Sequence, residues 1–298
     1  MKESAMRSVN ASRLAGKAVL GLAAAVILIP AEPVEAHKIE KRFTVGLRPV
    51  INVRNKSGKI TIKSWNRSEV LIVADHASDK TEVDAEQVGN RIDVITHLLT
   101  QNIKPEELRA DYEITVPTES DLQVRSDAGE VYVERVSGEL TFDTVAADVD
   151  LREVASLLLV KTISGSLACV RCAGRIEVRS ISGSFRFVDP VSNNLRAETA
   201  SGKIFFDGRF EPGGTYVLKS YTGEIDLLFD ESDSFELNAS SQNGKVENEA
   251  ALKPFPHDRR PPVQSRFASS YFGTHNQGQA RVQLNSFSGT IRIRKRGQ

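Results

Sequence analysis

The chain has 298 residues, with 39 basic and 39 acidic side chains and 40% apolar ones, enough for one large domain or two ordinary ones. The balanced charge leaves no net field at neutral pH, which excludes recruitment of nucleic acid or an anionic membrane by bulk electrostatics. Two cysteines in one pair and five scattered histidines give no four-ligand zinc pattern.

At the start of the chain, Lys2, Arg7, Arg13 and Lys17 precede an apolar run over 18–29. Pro30 ends the run, and Val34-Glu35-Ala36 places small residues where a signal peptidase reads. This pattern predicts a secretory signal peptide over 1–36, cleaved after Ala36, and a secreted, periplasmic or cell-envelope location. The run is about twelve residues long, short of the roughly twenty that a membrane span needs. No Cys follows it directly, so lipid attachment is not indicated.

The remaining residues, 37–298, read as one domain. Phe43 to Val45, Ile51 to Val53, Ile60 to Ile62 and Val70 to Val73 alternate or cluster apolar residues as strands do, with Ser57-Gly58-Lys59-Ile60 as a first corner. Residues 75–111 then break the pattern around Ile92-Asp93-Val94-Ile95, and a cap or lateral insertion is expected there.

From Gly129 onward a small residue followed two places later by an apolar one recurs every nine residues. The small positions are Gly129, Gly138, Ala147, Ser156, Gly165, Gly174 and Gly183; their partners are Val131, Leu140, Val149, Leu158, Leu167, Ile176 and Phe185. A looser continuation reaches Gly202, Gly223, Gly244 and Gly289. Units this short cannot bury their own apolar face and must stack on one another. Alternate units carry a hydroxyl three places before the small residue: Ser126, Thr144, Thr162, Ser180, Thr199, Ser220, Ser241 and Ser286. The fold expected is therefore all-β, a single-domain right-handed parallel β-solenoid with about 18–21 residues per coil.

The phase of the hydroxyl column matches the inward Val and Leu of its strand, which predicts that these groups turn inward and bond backbone at the corner. The preceding column reads Arg125, Asp143, Lys161, Arg179, Glu198 and Lys219, a mixed-sign outward surface. Cys169 falls in the column of Val133, Leu151, Val178 and Phe187, and Cys172 in that of Val136, Val145, Val154, Ile163 and Ile181. Both readings, two buried thiols or a disulfide in an oxidising compartment, stay open. Tyr132, Phe205 and Tyr221 are the outward aromatic candidates for a contact surface.

Residues 253–278 hold Pro254, Pro256, Pro261 and Pro262 and read as a Pro/Arg-rich loop. Val282, Leu284 and Ser286 resume the coil, and Gly289-Thr290-Ile291-Arg292-Ile293 closes it.

Ser57-Gly58-Lys59-Ile60 followed by Trp65, the run Tyr112-Glu113-Ile114-Thr115-Val116-Pro117, and the Ser-Gly-x-apolar units at Ser164, Ser182, Ser201 and Ser288 resemble a known family. It consists of secreted bacterial domains of unknown function regarded as adhesins, allied to the head domains of autotransporter adhesins. The resemblance covers roughly 40–296. It implies a β-solenoid exported to the envelope, and it brings no catalytic residues with it.

No catalytic, cofactor or metal site is expected. The reading is a non-enzymatic envelope protein, an adhesion or scaffold module for a protein or polysaccharide ligand, with self-association through strand edges as a further contact. The alternative is a polysaccharide-active enzyme using Glu130, Asp148 and Asp150, which share an outward face on adjacent coils and have the chemistry of an acid and a base or nucleophile. A solvated ion-pairing surface accounts for the same three carboxylates.

Overall fold

The computed structural model describes residues 37–253 and 269–297. The expected signal peptide and residues 254–268, including most of the Pro/Arg-rich segment, lie outside the described residues. The alternating apolar pattern builds strands almost throughout. The chain opens with β1 (His37–Thr44), β2 (Val50–Asn55), β3 (Lys59–Trp65), β4 (Glu69–His76), β5 (Thr81–Val88), β6 (Arg91–Leu98) and β7 (Ala110–Pro117). A short 3-10 turn at Pro105–Leu108 interrupts them.

The regular coils follow. Short strands β9 (Glu130–Glu134), β11 (Asp148–Arg152), β13 (Leu167–Val170), β15 (Phe185–Val188), β17 (Ile204–Asp207) and β19 (Ile225–Phe229) stack in one sheet, called sheet I. Mostly longer strands β8 (Asp121–Ser126), β10 (Ser137–Thr144), β12 (Ala155–Thr162), β14 (Ala173–Ser180), β16 (Val191–Thr199) and β18 (Thr215–Ser220) stack in the other, sheet II. The nine-residue repeat is thus a half-coil: one unit runs through sheet I and the next through sheet II. Their pairing is parallel and in register, as in Val149 beside Val131 and Leu167, or Leu158 beside Leu140 and Ile176.

Between the sheets lies a single apolar core of Val, Ile, Leu and Phe, with Phe142, Phe185, Phe187 and Phe206 fully buried. An aromatic group closes its C-terminal part, where Phe210 packs against Phe206, Tyr216 and Phe235 at centroid distances of 5.3, 4.9 and 5.0 Å. Desolvation here pushes the Tyr216 phenol up to about 12.

The two corners of a coil are built differently. After the short strand the chain turns through a left-handed residue, at Arg135, Glu153, Arg171 and Asp189, and then buries Val136, Val154 or Cys172. After the long strand the hydroxyl column turns inward: Thr162, Thr199, Ser220 and Ser286 accept hydrogen bonds from the backbone N–H of Gly165, Gly202, Gly223 and Gly289 at 2.8–3.1 Å. The glycine beside each hydroxyl is required by close approach. A Cβ on Gly202 would stand 1.8 Å from the carbonyl oxygen of Gly183 in the coil before it.

Two sequence expectations change at these corners and ends, and the open reading of the cysteines closes. Val145, Ile163 and Ile181 share a nine-residue phase with Cys172, yet they sit on the hydroxyl corner and are 44%, 48% and 60% exposed. Cys169 and Cys172 form a disulfide, both sulfurs within the core, so the pair is not two separate thiols. Within the segment expected to be a loop, residues 269–275 form a strand, β22 (Ser269–His275). It pairs antiparallel with β20 (Phe235–Ser241), so its alternate residues Gly273 and His275 are buried.

The coil order in space departs from the order in sequence at both ends. β23 (Ala280–Ser286) lies between β18 and β20, and β24 (Ile291–Lys295) between β19 and β21 (Val246–Asn248). The last segment therefore does not close the stack but is inserted within it. At the other end β2 is held between β8 and β6, and β3 between β9 and β7. Each inserted strand finds hydrogen-bond partners on both sides. Residues 75–111 supply the antiparallel hairpin β5–β6, which ends sheet II, while β1 and β4 end sheet I.

A candidate ligand groove on sheet I

Because side chains alternate along a strand, every second residue of sheet I faces outward, and parallel register lines these residues up across coils. One line runs Thr61, Tyr132, Asp150, Ala168, Arg186, Phe205, Asp226, Arg292. Beside it Lys59, Glu130 and Asp148 lead to Ser166, Ser184 and Lys203. The small residues at Ser166, Ala168 and Ser184 leave a depression, and a groove of about 1100 Å³ follows both lines along the stack from Lys59 to Asp226.

The groove brings together Glu130, Asp148 and Asp150, as their columns predict. Each has a structural partner. Asp148 Oδ1 accepts from the Ser166 N–H at 2.8 Å, Asp150 accepts from Arg152 Nε and Nη2 at 3.2 and 2.9 Å, and Glu130 lies 3.8 Å from Lys59. The hydrogen bond from Arg152 to Asp150 raises the Arg152 affinity for its proton.

Two of the outward aromatic candidates, Tyr132 and Phe205, lie in the groove; Tyr221 does not. Arg152 stands over the Tyr132 ring at 5.5 Å and Arg186 over Phe205 at 4.7 Å. Burial, with Glu134 nearby, raises the Tyr132 phenol, which remains protonated at neutral pH. Tyr221 instead stacks on Phe287 with centroids 4.6 Å apart, continuing the exposed line of Val145, Ile163 and Ile181.

At the basic end Asp226 is buried under Lys203, Arg292 and Arg294, at 2.5, 3.4 and 3.7 Å. Its hydrogen bond holds the Lys203 ammonium above its usual range, so the cation persists. The parts of the groove that sequence reading passed over are Ser166, Ala168, Ser184, Arg186 and Lys203. They carry no motif, and their signal emerges only when outward positions are aligned coil upon coil.

The histidines do not converge. His76 and His275 are buried, His97 lies 3.4 Å from Asp84, and His257 is outside the described residues. Among the described residues no three His, Cys, Asp or Glu side chains are placed to hold a metal ion, and no helix is long and apolar enough to cross a membrane.

No curated protein matches the chain. Among solved structures it is similar to a proposed cell adhesion protein from Clostridium sporogenes, at 11% identity and TM-score 0.24 over 87% of this chain and 100% of that one. It is also similar to a proposed adhesin from Bacteroides fragilis, at 11% identity and TM-score 0.35 over 87% and 97%. Likeness at this distance carries no function across. The model of one protein family matches residues 50–294, nearly the whole stack of coils, and the chain belongs to that family, Toastrack DUF4097.

Proposed function

We propose that residues 37–298 are the mature form of an exported envelope protein that binds a surface ligand, protein or polysaccharide, without transforming it. The observation that carries this reading is the sheet I groove, where a long, partly apolar depression coexists with carboxylates already committed to partners. Such a surface holds a ligand through many side chains. The leader pattern over 1–36 supports export, and the rigid stack supports presentation of the groove away from an attachment point.

Self-association through strand edges is the weaker contact at the N-terminal end of the stack. The edge strand β5 carries Glu82, Asp84 and Glu86, and β1 carries Lys38, Glu40 and Arg42, charges that discourage pairing with a second chain.

The test is to incubate the mature protein with insoluble envelope and plant polysaccharides and measure both protein pelleted and sugar released. Pelleting without release is expected. Release that disappears in Asp148→Asn/Asp150→Asn would establish the enzyme reading instead. Neither pelleting nor release would remove polysaccharide as the ligand and leave a protein partner.

A further inference from the structure

Ion pairs knit most of the outward arginines of this molecule to carboxylates. Arg125 meets Asp143 at 3.8 Å, Arg152 meets Asp150 at 2.9 Å, Arg179 meets Glu177 at 2.8 Å and Arg292 meets Glu224 at 3.0 Å. Arg186 is an exception in the middle of the groove. Among the described residues it makes no ion pair, because its cross-strand neighbours in register are Ala168 and Phe205. Ala168 has no group to offer, and Phe205 holds the guanidinium at 4.7 Å from its ring centroid.

That arrangement is suited to an incoming anion. Contact with an aromatic ring restrains the guanidinium while leaving its N–H groups available, and the fork matches a carboxylate with two parallel hydrogen bonds. Ser166 and Ser184 add hydroxyls beside it, and Lys203 adds positive potential. Toward β9 and β11 the groove carries the carboxylates Glu130, Asp148 and Asp150. These carboxylates are offset by Lys59, Lys63 and Arg152, and their oxygens offer acceptors for hydroxyl groups. Lys63, at the far end, is another lining cation without an ion pair among the described residues. Four strand steps separate its coil from that of Arg186, about 19 Å at the usual spacing.

Resting on the reading of this groove as a ligand site, we propose that it takes a linear polysaccharide with spaced carboxylates: a uronate group at Arg186 and neutral sugars along Asp148 and Asp150. A peptide fits less well. Extended peptides gain affinity by adding to a sheet edge through main-chain hydrogen bonds, whereas this groove is a sheet face that presents side chains. A fully carboxylated chain would set a carboxylate directly against Asp148 and Asp150, and a neutral one leaves Arg186 unpaired.

The experiment measures binding of the mature protein to hyaluronan, in which uronate alternates with a neutral sugar, beside polygalacturonate, dextran and poly-glutamate. The variants are Arg186→Gln, Arg186→Lys and Phe205→Leu, with melting curves to confirm folding. Hyaluronan is expected to bind best, with a salt-dependent affinity. Arg186→Gln is expected to weaken it by about tenfold or more, and Arg186→Lys by less, since a point charge replaces a fork. Equal binding of dextran and hyaluronan, or Arg186→Gln binding hyaluronan like the parent, would overturn the proposal. If dextran binding is then lost in Tyr132→Ala/Phe205→Ala, the groove reading survives that failure. Poly-glutamate binding as tightly as hyaluronan would overturn the polysaccharide identity, and binding of none of the four would overturn the proposal. In that last case the insoluble-polysaccharide assay decides the groove reading separately.

Discussion

The same coil builds two outer faces with different chemistry. On sheet II, the outward column Arg125, Asp143, Lys161, Arg179, Glu198 and Lys219 mixes both signs and closes ion pairs between coils, Arg125 with Asp143 at 3.8 Å and Lys219 with Glu198 at 3.4 Å. On sheet I the comparable lattice is interrupted by Ser166, Ala168 and Ser184, and a groove opens where partners are missing. Backbone register is regular on both faces apart from one irregularity at Ala173–Arg175 on sheet II. The difference therefore lies in side-chain size at a few outward positions, and a solenoid can acquire a site without altering its fold.

The two faces share one scaffold, and the largest effect should come from breaking it. In Gly202→Val the new Cβ has no space against Gly183, and a loss of about 3 kcal/mol or more is expected in chemical denaturation. Both faces should fail together; loss of one face alone would contradict a single cooperative stack.

Next in size is a contrast between the corners that connect the faces. Val154→Ser places a hydroxyl at a fully buried position and should cost about 2 kcal/mol or more, whereas Ile163→Ser, at the exposed corner, should stay within about 0.5 kcal/mol. Equal losses from the two variants would show that the corners are not distinct.

Smaller effects belong to the charged faces. Glu198→Gln removes the shared partner of Arg196 and Lys219 on sheet II and should cost about 0.5–1 kcal/mol, diminishing with salt. On sheet I, the hydrogen bond from Arg292 holds the Glu224 carboxyl below its ordinary range. Because the folded value is depressed, its contribution to stability is fully present above the unfolded value and is lost as pH falls through the folded one. Carboxyl titration followed by NMR should show a low midpoint for Glu224 that rises in Arg292→Gln; an unchanged midpoint would remove Arg292 as its cause.

Much of the fold was legible because its physics is periodic. Nine residues carry the chain once across the core, so the apolar partners from Val131 to Phe185 all face inward, and the phase of Ser126 to Ser286 predicts the inward hydroxyl column. The same regularity concealed other features. Val145 and Val154 occupy one phase of the nine-residue repeat but two different corners, one outside the hydroxyl turn and one beyond a left-handed residue. Similar coils also hide spatial order: nothing local to Val282 says that it will enter between two earlier strands, or to Ile51 that two later ones will flank it. Spacing allowed the Cys169–Cys172 bond but did not require it. At the site, Glu130, Asp148, Asp150, Tyr132 and Phe205 were visible as chemistry-bearing side chains. Ser166, Ala168 and Ser184 matter by being small, and Arg186 by lacking a partner, properties that belong to the assembled face and not to a motif.

The most direct test of sheet I as the binding face compares pelleting of three mature proteins with insoluble envelope and plant polysaccharides: the parent, Ala168→Glu and Glu198→Gln. Ala168→Glu fills the depression and supplies Arg186 with a carboxylate, so pelleting should be lost while the melting curve is retained; Glu198→Gln on sheet II should pellet as the parent does. Undiminished pelleting by Ala168→Glu would contradict the assignment, and loss in Glu198→Gln alone would move the binding face to sheet II.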